Sequence, residues 1–147
     1  MLLRNRTLND LAEMICGAAG GAGFERPNFH YRSSTYLSKF FMNCDMDQYV
    51  HDGTTRCVWV VQILENLNNG PASNPQVPSD AIILVIQELM DAADFQTHKL
   101  NRDAALDDLN LKNGFRFRNF WTTPPKTNLL SKSCNHFSNN LASFAFP

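Results

Sequence analysis

The chain of 147 residues contains no CxxC pair, and none of Cys16, Cys44, Cys57 and Cys134 stands near a histidine at zinc-ligand spacing. Neither a zinc ribbon nor a dithiol redox motif is therefore written in it. Thiols this widely spread read as free, buried side chains of a reducing compartment. No apolar run approaches the roughly 18 residues that a membrane helix needs. The opening MLLRNRTLNDLAEMI breaks its apolar stretch with polar residues and lacks the shape of a signal peptide. A cytoplasmic, bacterial-type protein with no membrane partner is the expectation. A nucleophile elbow of the GxSxG type is missing. His30, His51, His98 and His136 show no clustered spacing with carboxylates, so no metal and no cofactor is expected. The glycine-rich stretch Gly17–Gly23 follows a helix rather than a strand and is not followed by GK[ST]. It reads as a flexible helix end and not as a phosphate loop.

Acidic residues are also missing from one end. All 14 lie at or before Asp108, so residues 1–114 hold nine Lys and Arg against 14 acids, a net −5. Residues 115–147 carry Arg116, Arg118, Lys126 and Lys132 with no acid, and six of the 11 phenylalanines. Three readings of this tail stand: a basic arm for a nucleic acid or acidic partner, an edge hairpin followed by disorder, or a non-native end. The run from Thr127 onward has no clear period, which favours the last two. The overall charge of −1 argues against bulk non-specific nucleic-acid binding.

What is present is helical periodicity. Hydrophobic content of 44% suits one globular domain with a real core. Thr7 and Asp10 have the spacing of a weak capping box, and Leu8, Leu11, Ala12 and Ile15 continue a helix to about Cys16. Residues 24–31 read as an extended connector. Arg32, Ser33 and Ser34 open a second helix, with Tyr36, Leu37, Phe40 and Phe41 on its apolar stripe and an end near Cys44. An acidic loop follows from Asp45 to Asp52. Thr54 or Thr55 can cap a third helix bearing Cys57, Val60, Val61, Leu64 and Leu67, widened by Val58, Trp59 and Ile63 into a central element. Asn68, Asn69, Gly70 and Pro71 stop it, and three prolines between residues 69 and 78 mark a surface loop. Ser79 caps a fourth helix whose stripe runs Ile82, Val85, Ile86, Leu89, Met90 and Ala93. Ala104, Ala105, Leu106 and Leu109 suggest a fifth, ending at Asn113 and Gly114. Residues 115–121 alternate apolar and polar as a half-buried strand would. The expected fold is mainly α: a compact bundle of about five helices over residues 5–114, with a short C-terminal strand or hairpin and a poorly ordered or non-native tail over 115–147.

Ionisable and hydroxyl groups concentrate between Arg32 and Arg56, at two helix starts where backbone N–H groups are free. Arg56 could clamp a phosphate beside those amides. The plainer reading is a structural ion pair with Asp52 across the turn, with Thr54 or Thr55 capping the helix. Arg32, Ser33 and Ser34, brought beside Arg56, would form a hydroxyl-rich basic pocket; by themselves they are ordinary helix-start residues. His51 and Asp52, adjacent in an extended loop, point apart and are no ready-made catalytic pair. Tyr36 and Trp59 read first as core aromatics and otherwise as base-stacking platforms. The candidate ligand-binding set is Arg32, Ser33, Ser34, Tyr36, His51, Asp52, Thr54, Thr55 and Arg56, with no catalytic residue assigned.

Several of these residues fall into a recognisable pattern. Arg32-Ser33-Ser34-x-Tyr36-Leu37-x-x-Phe40-Phe41, then His51-Asp52-Gly53-Thr54-Thr55-Arg56, Trp59-Val60 and Ile63-Leu64-x-x-Leu67-Asn68 resemble an N-terminal domain of bacterial phage-defence proteins of the AbiJ abortive-infection type. The Ile82–Met90 helix and Ala105-Leu106-x-x-Leu109-Asn110, followed by Gly114, suit the same pattern, so the likeness spans roughly residues 5–114. It implies a small accessory or recognition domain attached to an effector such as a helical ribonuclease of the HEPN class. The chain itself lacks that nuclease's Arg–His spacing: Arg26 and His30 stand one residue too close, with Pro27 between them. The family's longer helix and glycine-containing hairpin are replaced here by the acid-free tail, so a downstream effector on the same chain is not expected.

The resemblance and the residues together lead to one main expectation. It is a non-enzymatic recognition or regulatory domain of an antiphage system, binding a phosphate-bearing ligand (nucleotide or nucleic acid) or a partner effector protein. The alternatives are a winged-helix-like nucleic-acid-binding module, with residues 115–121 as wing, a small hydrolase using His51 and Asp52, and a homo-oligomer assembled through exposed apolar helices.

Overall fold

The structure, a computed structural model, describes residues 1–17 and 28–113. The described residues form six α-helices: α1 (Asn5–Cys16), α2 (Ser34–Asn43), α3 (Arg56–Asn68), α4 (Asp80–Leu89), α5 (Ala92–His98) and α6 (Arg102–Asn113). The mainly helical architecture expected from periodicity is what the described residues adopt. The strand expected at 115–121, the tail beyond it, and all but the first residue of the glycine-rich stretch lie outside the described residues.

The core is built on α1 against α3, with α6 on α1 and α4 on α3 and α2. Leu8, Leu11, Ile15 and Cys16 recur at helical spacing on α1 and are fully buried. Helix α1 packs on α3, where Val60, Ile63 and Leu64 are likewise buried, as expected of a central helix. Each such aliphatic side chain contributes about 1.5–3 kcal/mol by leaving water. Phe41 of α2 lies edge-on to Trp59 of α3, with ring centroids 5.5 Å apart, and joins α2 to the same core. Asn68, buried at the end of α3, donates to Leu3 O (3.0 Å) and accepts from Leu3 N–H (2.9 Å). That reciprocal pair closes the segment before α1 onto α3.

Helix starts follow the expected chemistry only in part. Ser33 Oγ accepts from Tyr36 N–H, and Ser79 Oγ accepts from Ile82 N–H while donating to Leu67 O at 2.6 Å. The box expected at Thr7 does not form. Leu8 N–H already bonds Arg4 O, so the first turn is wound before the chain reaches Thr7. Neither Thr54 nor Thr55 caps α3 through its hydroxyl: Thr55 holds the cap position without a side-chain bond, and Thr54 Oγ1 donates to Asp52.

The fourth expected helix is two. It stops at Leu89, and Asp91 Oδ2 then accepts from Asp94 N–H to start α5, leaving Ala93 exposed instead of on the α4 stripe. The described residues therefore hold six helices where about five were expected, because a capping aspartate divides the fourth apolar stripe in two. Phe95, the buried residue of α5, meets Phe29 edge-on at 6.4 Å and docks α5 on the segment before α2. Among the described residues, no helix is long and apolar enough to cross a membrane.

Candidate functional site

Residues 30–32, just before α2, are pinned from three sides. Gly17 has φ +65°, and a Cβ there would lie 1.8 Å from His30 O, so only glycine lets residues 30–31 pass this close. Arg32 N–H bonds Cys16 O at 3.0 Å. Arg56, in the first turn of α3, donates through one guanidinium nitrogen to Cys16 O (3.2 Å) and to Arg32 O. Its guanidinium carbon sits 4.2 Å from the centre of the Tyr31 ring. The carbonyl end of α1 thus receives a cation, which is favourable both for its dipole and for its unpaired oxygens.

Arg32 is buried and has two commitments: Ile15 O at 3.0 Å and Asp94 Oδ2 at 2.8 Å. Burial pulls its guanidinium below the ordinary range, and Asp94 opposes that shift. Asp94 is also approached by His30 Nδ1 (3.2 Å) and, one turn along α5, by His98 Nε2 (3.5 Å). The two imidazoles stack at 3.8 Å with an 11° tilt. Burial, then the Arg32 charge, lowers His30 to about 4, so its ring is neutral near pH 7.

These groups form the floor of a cleft of about 830 Å³ between α2 and α5. Its walls include Tyr31, Tyr36, Lys39 and Met42 on one side and Glu88 and Asp91 on the other. Tyr36 is 61% exposed and Met42 55% exposed, and the Lys39 ammonium lies 5.3 Å from the Tyr36 ring centre. Asn43 Nδ2 bonds Glu88 Oε1 at 2.7 Å across the cleft.

The candidate residues divide between two places. Arg32, Ser33, Tyr36 and Arg56 come to the α1–α2–α3 junction and the cleft, and Arg56 does reach the Arg32 backbone. Ser34 lends its carbonyl to Ser38 Oγ, and that hydroxyl accepts the His51 N–H at 3.0 Å. Tyr36 is not the core aromatic that its stripe position suggested; Trp59, 6% exposed, is. His51, Asp52, Thr54 and Thr55 form a surface turn. Asp52 Oδ1 accepts from Thr54 N–H and Oγ1, first of all the backbone bond, and this holds the carboxyl below its usual range. Asp52 is spent on this turn while Arg56 is spent on α1, so the ion pair expected between them is replaced by separate partners. His51 Nδ1 accepts from Gly53 N–H, and its ring packs on Trp59 at 4.9 Å. Its Nε2 is buried without a hydrogen-bond partner among the described residues.

Two arrangements were hidden by sequence distance. His30, Asp94 and His98 share one cluster although His30 is remote in the chain; only the Asp94–His98 spacing hinted at it. Cys16 and Cys57, read as isolated thiols, share a hydrogen bond. That bond, with help from Arg56, lowers Cys57 to about 7 and pushes Cys16 up. Burial raises Cys44, whose Sγ bonds Phe40 O, to about 12. No family model, no curated protein and no solved structure matches the chain.

Proposed function

We propose that the chain is a non-enzymatic recognition domain of a bacterial abortive-infection system, and that it engages a partner protein through the α2–α5 cleft. The observation that carries this reading is the pairing of an open cleft with exposed Tyr31, Tyr36 and Met42 on one wall. Aromatic and methionine side chains that stay in water without filling a core are typical anchors of protein interfaces. The motif likeness around Arg32–Arg56 supplies the biological setting. His51 and Asp52 have separate local partners, which does not favour the hydrolase reading.

A phosphate-bearing ligand is the second reading. In its favour, Lys39 stands on the cleft rim. Against it, the guanidiniums of Arg32 and Arg56 are already bonded to carbonyls and to Asp94. Three cleft carboxylates, Glu88, Asp91 and Asp94, would also repel an anion. The same acidity disfavours a DNA-reading module, whose affinity depends on neutralising backbone phosphates.

The test is phage plating on bacteria carrying the intact system, with Tyr36→Ala and Met42→Ala as variants. Both side chains are exposed, so the melting temperature should stay within about 2 °C of the native value, as for surface changes generally. Protection should fall at least tenfold in each variant. Full protection by both variants at unchanged melting temperature would discard the cleft. A thermal-shift screen with nucleotides and short oligonucleotides separates the readings further, because a ligand that binds the folded state raises its melting temperature.

A further inference from the structure

We infer that His30, Asp94 and His98 form a site for one divalent transition-metal ion of borderline softness, Zn²⁺ being the representative. One ligand atom from each residue lies within 4.8 Å of the other two. Two imidazoles with a carboxylate is a donor set that suits zinc and its neighbours and ignores magnesium and calcium. Metal–ligand bonds of about 2.0–2.2 Å at a tetrahedral centre place donor atoms roughly 3.3–3.6 Å apart. His30 Nδ1 lies 3.2 Å from Asp94 Oδ2 and His98 Nε2 lies 3.5 Å from the other oxygen, Oδ1, so a single carboxylate oxygen serving both needs a small closing of the set from its present 4.8 Å spread.

The ligands are held by the fold. Asp94 and His98 are four residues apart on α5 and share a face. His30 sits on the segment pinned by Gly17, whose Cα lies against His30 O, and by Arg32 N–H on Cys16 O. Arg32, anchored on Ile15 O, donates to Asp94 Oδ2, the oxygen that also faces His30 Nδ1, and holds the carboxylate in place, as partners of metal-binding carboxylates do. The Arg32 charge opposes a dication, and the carboxylates of Glu88 and Asp91, which line the same cleft, offset it.

One adjustment is required. The stacked rings set the two nitrogen lone pairs side by side instead of converging. His98, whose side chain is 41% exposed, has room to turn about its side-chain torsions and direct Nε2 to the ion. Three protein ligands then leave a fourth position open to the cleft, as in zinc sites that accept an exogenous group. The site does not depend on the recognition reading and would stand if that reading failed.

The experiment uses the purified full chain, stripped with chelator and titrated calorimetrically with ZnCl₂, beside His98→Gln, His30→Gln and Cys57→Ser. The expected result is one ion per native chain and affinity at least tenfold weaker in each histidine variant. Cys57→Ser should bind as the native chain does. Far-UV circular dichroism checks that every variant is folded, and two independent histidine variants keep the test decisive if one is not. Co²⁺ in place of Zn²⁺ should give ligand-field bands without thiolate charge transfer. Native affinity no tighter than that of a folded His98→Gln chain would overturn the site. So would loss of binding in Cys57→Ser, which would put the ion on the Cys16–Cys57 thiols.

Discussion

Replacing Arg56 by alanine should unfasten the junction of α1, α2 and α3 well before it affects any ligand. The native guanidinium gives a charge-assisted bond to Cys16 O at 3.2 Å, a second to Arg32 O, and a face contact with Tyr31 at 4.2 Å. Bonds from a charged donor contribute about 1.5–3 kcal/mol, and here one nitrogen serves both carbonyls, so they count as little more than one. The cation–π contact at a half-exposed ring adds about 0.5–1 kcal/mol. Cys16 O keeps the Arg32 N–H bond at 3.0 Å, which limits the loss. The expected cost is about 2–4 kcal/mol. At an m-value of about 2 kcal/mol per molar urea, the middle of the usual range, the unfolding midpoint falls by roughly 1–2 M. Urea titration followed by far-UV circular dichroism reads this directly. Asp52→Ala, which loses only the bonds to Thr54 in an exposed turn, should move the midpoint far less, and the two losses should add in the double variant, because the two side chains have different partners. A midpoint unmoved by Arg56→Ala, or strong coupling between Arg56 and Asp52, would refute the assignment of Arg56 as a brace.

Gly17→Ala should fail to fold, at a cost of roughly 4 kcal/mol or more, because its Cβ would lie 1.8 Å from His30 O; a native-like circular dichroism melt would contradict this. Asn68→Ala should cost roughly 2–3 kcal/mol in urea titration, since both main-chain groups of Leu3 lose their buried partner. Alkylation of Cys57 by iodoacetamide, followed by mass spectrometry, should rise through a midpoint near pH 7, with the thiolate disappearing below it. Cys16→Ala removes the largest cause of that lowering and should move the midpoint toward the ordinary thiol value; Cys44, raised to about 12, should stay unlabelled throughout.

Helix identity was legible in this chain wherever apolar period and capping residue agreed. Ser33 and Ser79 start α2 and α4 as their neighbours' periodicity indicates, and α3 runs to Asn68. Local signals failed where two of them competed. Asp91 ends one helix and begins another inside what reads as a single stripe, and Lys99 closes α5 in the left-handed conformation (φ 56°) without the glycine that usually marks such an end. The cleft was only half legible. Arg32, Tyr36 and Arg56 stand out in the sequence, but their partners come from distant segments: Asp94 for Arg32, Cys16 for Arg56. A carbonyl oxygen carries no side-chain signature, so nothing in the residue letters could tell that Arg56 is consumed by backbone. Proximity of His30 to His98 likewise arises only when α5 folds back on the segment before α2.

The most direct test of recognition through the α2–α5 cleft is site-specific photocrosslinking in infected cells. A photoreactive phenylalanine analogue would replace Tyr36, which lines the cleft, or Leu84, which is 44% exposed and does not line it. The account predicts one discrete adduct from position 36 with a protein of the same defence system, and none from position 84. Equal adducts from both positions, or none from position 36 while protection against phage is retained, would contradict it.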